Sequence, residues 1–305
     1  MTELAKQLQQ IRGLSESVPA SFLFDPKTAL KIDKDVVYTI GVNGFEELRS
    51  EFPEFTTFYS ELLDETFANQ HCHFETLMKT QLTGIEQELA RINSLISPHF
   101  LHSGCHKLLE FLIRFYKVHV TIRDEVLFSL LPFHGTKYFI RLLMLCKLDG
   151  IWFFLTRHQH SGYILQRSDI VKQCMHELTV LQGIIARAGY SSLHLKFACA
   201  VVIELIQSVS KLNETLMQMV LGFVAKLLPG DKEDKEMAMA IIAHTALRHN
   251  FSPQYLQGVI TDLLKYSGAE KTSEILTISL LLSIHVSFYL ENQVIAKCTY
   301  KNPCF

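Results

Sequence analysis

The chain has 305 residues, 48% of them hydrophobic and 20% charged, which is enough apolar surface for a continuous core and too little charge for disorder. Its 14 glycines and 8 prolines are too few for the closely spaced turns of a β-sandwich or barrel. With 29 Lys and Arg against 31 Asp and Glu the formal charge is −2, so bulk charge supplies no general attraction to a phosphate backbone.

In chain order, the pattern predicts a short amphipathic helix over residues 3–11 and then a polar break, GLSESVPAS. The start MTELAKQLQQ lacks the apolar stretch of a secretory signal. Asp25 before Pro26, and Asp33 before a run of helix formers, stand at cap positions. An N-terminal capping repeat with a polar outer face accounts for this region. Apolar periodicity then predicts helices over 81–96, 102–118, 124–131, 136–146 and 168–188, with Pro98 and Pro132 falling between runs. The stretch 149–167, DGIWFFLTRHQHSGYILQR, has aromatics and two glycines without clean periodicity. It reads as a short helix and a long connector that interrupts the array.

In the second half, helices are predicted over 213–228, 236–249, 254–266 and 274–290, joined by PGDKED, NFSP and SGAEKTS. Asn213 and Ser252 are good N-caps, and Pro253 suits the first helical position, where its missing N–H is not needed. Leu216, Met217, Val220 and Val224 return every three or four residues and share one face. Asn213 to Ser252 is 39 residues and Asp231 to Ala269 is 38, the spacing of HEAT and armadillo arrays, in which each hairpin buries its apolar face by stacking on its neighbours. The expected fold is therefore all-α, an α-solenoid of HEAT-like helical hairpins. The expected division is an N-terminal helix and linker (1–20), the repeat array (21–290) and a divergent tail (291–305). Residues 275–290 carry no Asp, Glu, Lys or Arg, yet fall short of the roughly 20 apolar residues of a membrane span and are broken by Thr277, Ser279, Ser283, His285 and Ser287. They read as a buried solenoid helix.

None of the nucleotide-binding, hydrolase, zinc-protease or EF-hand motifs occurs. His176-Glu177 starts like a zinc-protease helix, but Val180 stands where the second ligand belongs. The best metal candidate is His99, His102, Cys105 and His106. Successive helical residues point about 100° apart, so Cys105 and His106 do not chelate together with His102. A polar helix start with a surface imidazole pair is the favoured reading. His71-Cys72-His73 and His158-Gln159-His160 have no second ligand pair nearby and read as loop or surface residues. Residues 231–236, DKEDKE, alternate in sign and read as a solvated connector. Asn213-Glu214-Thr215 matches a glycosylation sequon without a secretory context. The seven cysteines, Cys72, Cys105, Cys146, Cys174, Cys199, Cys298 and Cys304, are odd in number and scattered. They read as free, buried thiols of a reducing compartment. No catalytic, cofactor-binding or metal-ligating residue is assigned.

Two colinear blocks carry a family resemblance. The first is Phe24-Asp25-Pro26, Ile32-Asp33, Ile40-Gly41 and Gly44-Phe45-Glu46-Glu47-Leu48. The second is Ser97-Pro98-His99-Phe100-Leu101, Glu110-Phe111-Leu112-Ile113 and Leu131-Pro132-Phe133-His134-Gly135-Thr136, with His119 and Asp124 between. Together they resemble the N-terminal domain of the U3 small nucleolar RNA-associated protein 10 and HEAT repeat-containing protein 1 family, clearly over residues 1–148 and through helical pattern over 150–285. Family members are much longer chains, and the ending ENQVIAKCTYKNPCF reads as a fragment or truncated product.

The resemblance implies a non-enzymatic nucleolar scaffold of the small-subunit processome, tied to pre-18S processing and ribosomal DNA transcription. Its implied partners are proteins of the early-binding subcomplex, with pre-ribosomal RNA and U3 small nucleolar RNA reached through the complex, and neither membrane nor small-molecule substrate. Two other classes compete: a generic cytosolic helical-repeat adaptor, and an enzyme anchored on the 99–106 cluster. Leu131, Pro132, Phe133 and His134 are the family-like residues to mutate first, although Pro132 as a helix end and Phe133 as a core plug is the simpler reading.

Overall fold

The computed structural model describes residues 19–71, 79–161, 166–249 and 253–266. These residues are mostly helical and contain no strand, so the fold class is all-α, as the periodicity predicts. The chain divides into two compact units, Met1–Arg167 and Ser168–Phe305.

In the first unit the Asp25 carboxylate accepts the backbone N–H groups of Lys27 and Thr28 at 3.0 and 3.1 Å. It thereby opens one turn, α1 (Pro26–Ala29), with Pro26 at its start. Asp33 caps α2 (Lys34–Glu51) by position, without a side-chain bond. Then come α3 (Glu65–His71), α4 (Lys79–Ile96), α5 (Ser103–Tyr116), α6 (Val118–Thr121), α7 (Arg123–Leu130), α8 (Lys137–Leu145) and α9 (Thr156–Ser161). The centre of the unit is α2 against α5. Val37, Phe45 and Leu48 are buried from one side and Leu108, Phe111, Leu112 and Phe115 from the other. Beside it α4 packs on α7, where the buried Asn93 amide donates to Ser129 Oγ at 2.9 Å.

Pro98 and Pro132 each sit in a single 3₁₀ turn, Ser97–His99 and Leu131–Phe133, at the breaks where proline cannot continue a helix. The helix predicted to reach residue 118 ends at Tyr116, because Lys117 turns left-handed (φ 49°) as its C-cap. In the stretch expected to be a short helix and long connector, residues 162–165 lie outside the described residues and the short helix is α9, but it is led in directly by a 3₁₀ turn, Gly150–Leu155, where connector was expected. Trp152 is fully buried there, and its Nε1–H donates to Asp124 Oδ1 at 2.9 Å. Arg123 reaches from α7 to the Lys147 carbonyl at 2.8 Å and to Asp149. Aromatic burial and this polar clasp hold the segment where periodicity alone reads a loop.

The second unit holds α10 (Arg167–Cys174), α11 (Leu178–Ala186), α12 (Ser192–Ser208), α13 (Glu214–Leu227), α14 (Lys232–Arg248) and α15 (Pro253–Tyr266). The single helix predicted over 168–188 is two, α10 and α11, parted by a turn that leaves Glu177 extended. Periodicity did not indicate α12. It is buried on most sides, through His194, Leu195, Phe197, Ala198, Cys199, Val201, Val202, Leu205 and Ile206, so it lacks the polar face by which an amphipathic helix is recognised. Helix α14 starts four residues before the expected 236. Asp231 accepts the Asp234 N–H at 3.0 Å as its N-cap, and Glu233 and Asp234 lie in the first turn, where the helix dipole favours carboxylates. Most of the supposed connector is therefore helix.

Successive hairpins stack in this unit: α11 packs on α12, α13 on α14, and α12 on α14. Helices α12 and α14 start 40 residues apart, Ser192 against Lys232. The bonds between them keep that interval. Ser192 Oγ and Lys196 Nζ each meet Glu233 Oε1 at 2.8 Å, Arg248 donates to the Gln207 carbonyl at 2.9 Å, and His249 Nε2 meets the Ile206 carbonyl at 3.2 Å. The repeat read from sequence thus extends one unit further back in the chain. Among the described residues no helix is long and apolar enough to cross a membrane. The helices predicted over 3–11 and 274–290, and the cap Ser252, lie outside the described residues.

Candidate functional site

The motif blocks, separated by dozens of residues in sequence, meet on α5. Glu110 is wholly buried. One carboxylate oxygen accepts the backbone N–H groups of Phe22 and Leu23 at 2.6 and 2.9 Å, and the other accepts the Ser21 hydroxyl at 2.8 Å. Arg114, one turn later, lies 3.7 Å from Glu110 and donates to the carbonyls of Ala29 and Ile32 at 3.3 and 3.2 Å. Residues 21–32 are thus strapped across α5 by one anion and one cation. Beneath the strap, the Phe22 ring sits among Phe100, His106 and Tyr138, with ring centroids 5.6 to 6.4 Å away.

On the other side of α5, Gly44 and Gly104 allow α2 to approach closely. A Cβ on either glycine would stand 2.6 Å from the carbonyl oxygen of the other. Glu47 of the same helix pairs with Lys107 and accepts from Ser103 at 3.3 Å, and these bonds hold its carboxyl below the usual range. The first block therefore packs against the second as one structural core.

The 99–106 candidates point apart. His99 Nε2 meets Glu54 at 2.6 Å and its ring stacks on Phe52 at 4.0 Å. His102 is the N-cap of α5: its Nδ1 accepts the Gly104 N–H at 3.1 Å, and its Nε2 lies 3.1 Å from Glu51. The Cys105 thiol is buried, donates toward the Ile96 carbonyl at 3.4 Å, and has its pKa pushed up by desolvation. His106 corrects the expected surface imidazole pair. It is buried, its ring lies 3.9 Å from that of Tyr138, and burial lowers its pKa. Among the described residues no three His, Cys, Asp or Glu are grouped to hold a metal ion.

Leu131, Pro132, Phe133 and His134 are all buried. Phe133 packs 5.2 Å from Phe100, and His134 Nδ1 donates to the Leu131 carbonyl at 3.0 Å. They are core residues, as the simpler reading has it. His158 and Gln159, expected as loop or surface residues, lie half-buried in α9, and Gln159 donates to the Cys146 carbonyl at 2.8 Å. His71 closes α3, while Cys72 and His73 lie outside the described residues. Val180 is a buried residue of α11. Asn213, the sequon residue, caps α13 by accepting the Leu216 N–H at 2.8 Å. Cys105, Cys146, Cys174 and Cys199 are free and buried, with burial raising their pKa values, that of Cys146 to about 12.

Ser21, Phe22 and Arg114 were not singled out from sequence. The spacing Glu110 to Arg114, one helical turn, was the available signal. Two grooves flank α4, one lined by Tyr59, Leu62, Phe67, Ile85 and Glu88 and the other by Glu86, Val120, Asp124 and Glu125.

No family model matches the chain. Human HEAT repeat-containing protein 1 is 25% identical over 290 residues, covering 87% of this chain and 13% of that protein. The Drosophila melanogaster HEAT repeat-containing protein 1 homolog is 28% identical over 262 residues, 79% of this chain and 12% of the fly protein. U3 small nucleolar RNA-associated protein 10 of Schizosaccharomyces pombe is 34% identical over 152 residues, 50% of this chain and 9% of the yeast protein. Over that small fraction of their length, the chain is a homologue of proteins named for HEAT repeats and for association with U3 small nucleolar RNA.

Proposed function

We propose that the chain is a non-enzymatic scaffold of the nucleolar small-subunit processome. In this reading it supports pre-18S ribosomal RNA processing, ribosome biogenesis and RNA polymerase I transcription through contacts with other processome proteins. The observation that carries this is its similarity to U3 small nucleolar RNA-associated protein 10, at 34% identity over half the chain. Packing supports it, because the motif residues that carry the resemblance build a core and a strap instead of a reactive cavity.

Contacts through protein rather than RNA fit the electrostatics. The 29 Lys and Arg are outnumbered by 31 Asp and Glu, and Arg91, Lys107, Arg114 and Arg123 are each paired with a carboxylate, so net charge draws no phosphate backbone to the chain. Pre-ribosomal RNA and U3 RNA are then partners at one remove. The working surface is the helical array, proposed to span residues 21–290 between an N-terminal helix with linker (1–20) and a tail (291–305). Neither a membrane nor a small-molecule substrate enters this reading.

Imaging a tagged chain in cells tests the location that the proposal requires. Concentration in nucleoli is expected; diffuse cytosolic signal with empty nucleoli contradicts it.

A further inference from the structure

We propose that residues 21–24 act as a built-in peptide ligand, and that the recess they fill on α5 is a peptide-binding site able to accept the same segment from a second copy of the chain.

The segment is held as a bound peptide is held. Its contacts with Glu110 are two consecutive backbone N–H groups and one hydroxyl, at 2.6 to 2.9 Å, and its side-chain anchor is one ring, Phe22, 2% exposed. Main-chain hydrogen bonds with one buried aromatic anchor are the usual division of labour in short-peptide recognition. The residues that receive it lie 78 to 116 positions further along the chain, in Phe100, His106, Glu110 and Tyr138. Covalent connection therefore contributes only an effective concentration, and the site itself is formed by α5 and its neighbours.

Leaving the recess empty is costly in a specific way. Glu110, wholly buried with the segment in place, would exchange three fitted donors for water and Arg114 at 3.7 Å, which forfeits the net gain of those charge-assisted hydrogen bonds. The vacated site therefore favours a replacement with the same chemistry: two adjacent free N–H groups, a hydroxyl before them, and an aromatic side chain. Ser21-Phe22-Leu23 from a second copy supplies all of these. Burial lowers the pKa of the His106 ring against which Phe22 packs, which favours the uncharged imidazole beside the aromatic anchor.

A fluorescent peptide with the sequence of residues 19–33 is the probe, read by anisotropy against the full 305-residue chain. The unchanged chain, its recess occupied, is expected to bind weakly. The Phe22→Ala chain, which loses its own anchor, is expected to bind about tenfold more tightly. Adding Glu110→Ala to that chain should remove the gain, and a probe carrying alanine for Phe22 should not bind. A folded Phe22→Ala chain that takes the probe no better than the unchanged one overturns the proposal. So does binding that is indifferent to Glu110→Ala.

Hydrogen exchange on the unchanged chain gives a second reading that needs no variant. The Phe22 and Leu23 amides should exchange faster than the interior amides of α5, through opening of the strap alone; equal protection contradicts a separable ligand. Neither failure touches the processome reading, which rests on the relatives.

Discussion

Glu110 shows how much one side chain can organise. A carboxylate on an otherwise apolar helix face looks like a patterning error in the sequence, and the structure answers it with three donors from a segment nearly ninety residues earlier. Glu110→Ala leaves those backbone donors buried and unpaired. It is expected to lower stability by about 3–5 kcal/mol, measured as a fall in the urea midpoint; a loss under about 0.5 kcal/mol would remove the strap from this account.

His119 carries the opposite lesson, a titratable group buried without a partner on Nδ1. Burial, and secondarily the charge of Lys117, lower its pKa to about 4, against about 6.5 when unfolded. The unfolded chain therefore binds a proton that the folded chain refuses. The stability this represents is complete above pH 6.5 and is lost as pH falls toward 4. His106 and His134 are shifted in the same direction by burial. Between pH 6.5 and 5 the His119→Leu chain should therefore lose less stability than the unchanged chain, by up to roughly 2 kcal/mol; identical slopes would show that His119 takes up its proton alike in both states. The carboxylates of Asp25, Glu47 and Asp149, whose pKa values are lowered by their bonds, add their own loss below this window.

Among elements, the contact of α2 with α5 depends on backbone approaching backbone. Gly44→Ala puts a Cβ 2.6 Å from the Gly104 carbonyl and is expected to cost about 1–3 kcal/mol as the helices part. Gly84→Ala in α4 is the matched control. Nothing lies within 4 Å of its added Cβ, so it is expected to gain up to about 1 kcal/mol from helix propensity. Thermal unfolding of the two variants checks both signs, and a stabilised Gly44→Ala chain would deny the close approach.

Which elements were legible follows from the same physics. Helix α13 was, because its cap Asn213 and its four-residue apolar spacing are local signals. Helix α12 was not, because a helix buried on most sides shows no polar face. The start of α14 was misplaced because DKEDKE satisfies both a solvated connector and an acidic first turn, and only the Asp231 cap decides between them. The split of α10 from α11 has no proline or glycine to announce it.

For the molecule as a whole, the two motif blocks were visible as sequence, but their meeting was not. Nothing in the sequence says that Ser21-Phe22-Leu23, just before the first block, straps Glu110 of the second, since that contact exists only once α5 is folded. The interval of about 40 residues was visible and recurs between α12 and α14. It is the feature that fits a chain built to present surfaces. The candidate metal cluster dissolved for a matching reason: neighbours in sequence were drawn to different partners, Glu54, Glu51, the Ile96 carbonyl and Tyr138.

The central claim is that this array binds processome proteins directly. Capture of the tagged full chain from nuclease-treated nucleolar extract, with bound proteins identified by mass spectrometry, tests it most directly. The account predicts that other proteins of the small-subunit processome are recovered after RNA is destroyed; recovery of none of them, with the chain folded and nucleolar, contradicts it.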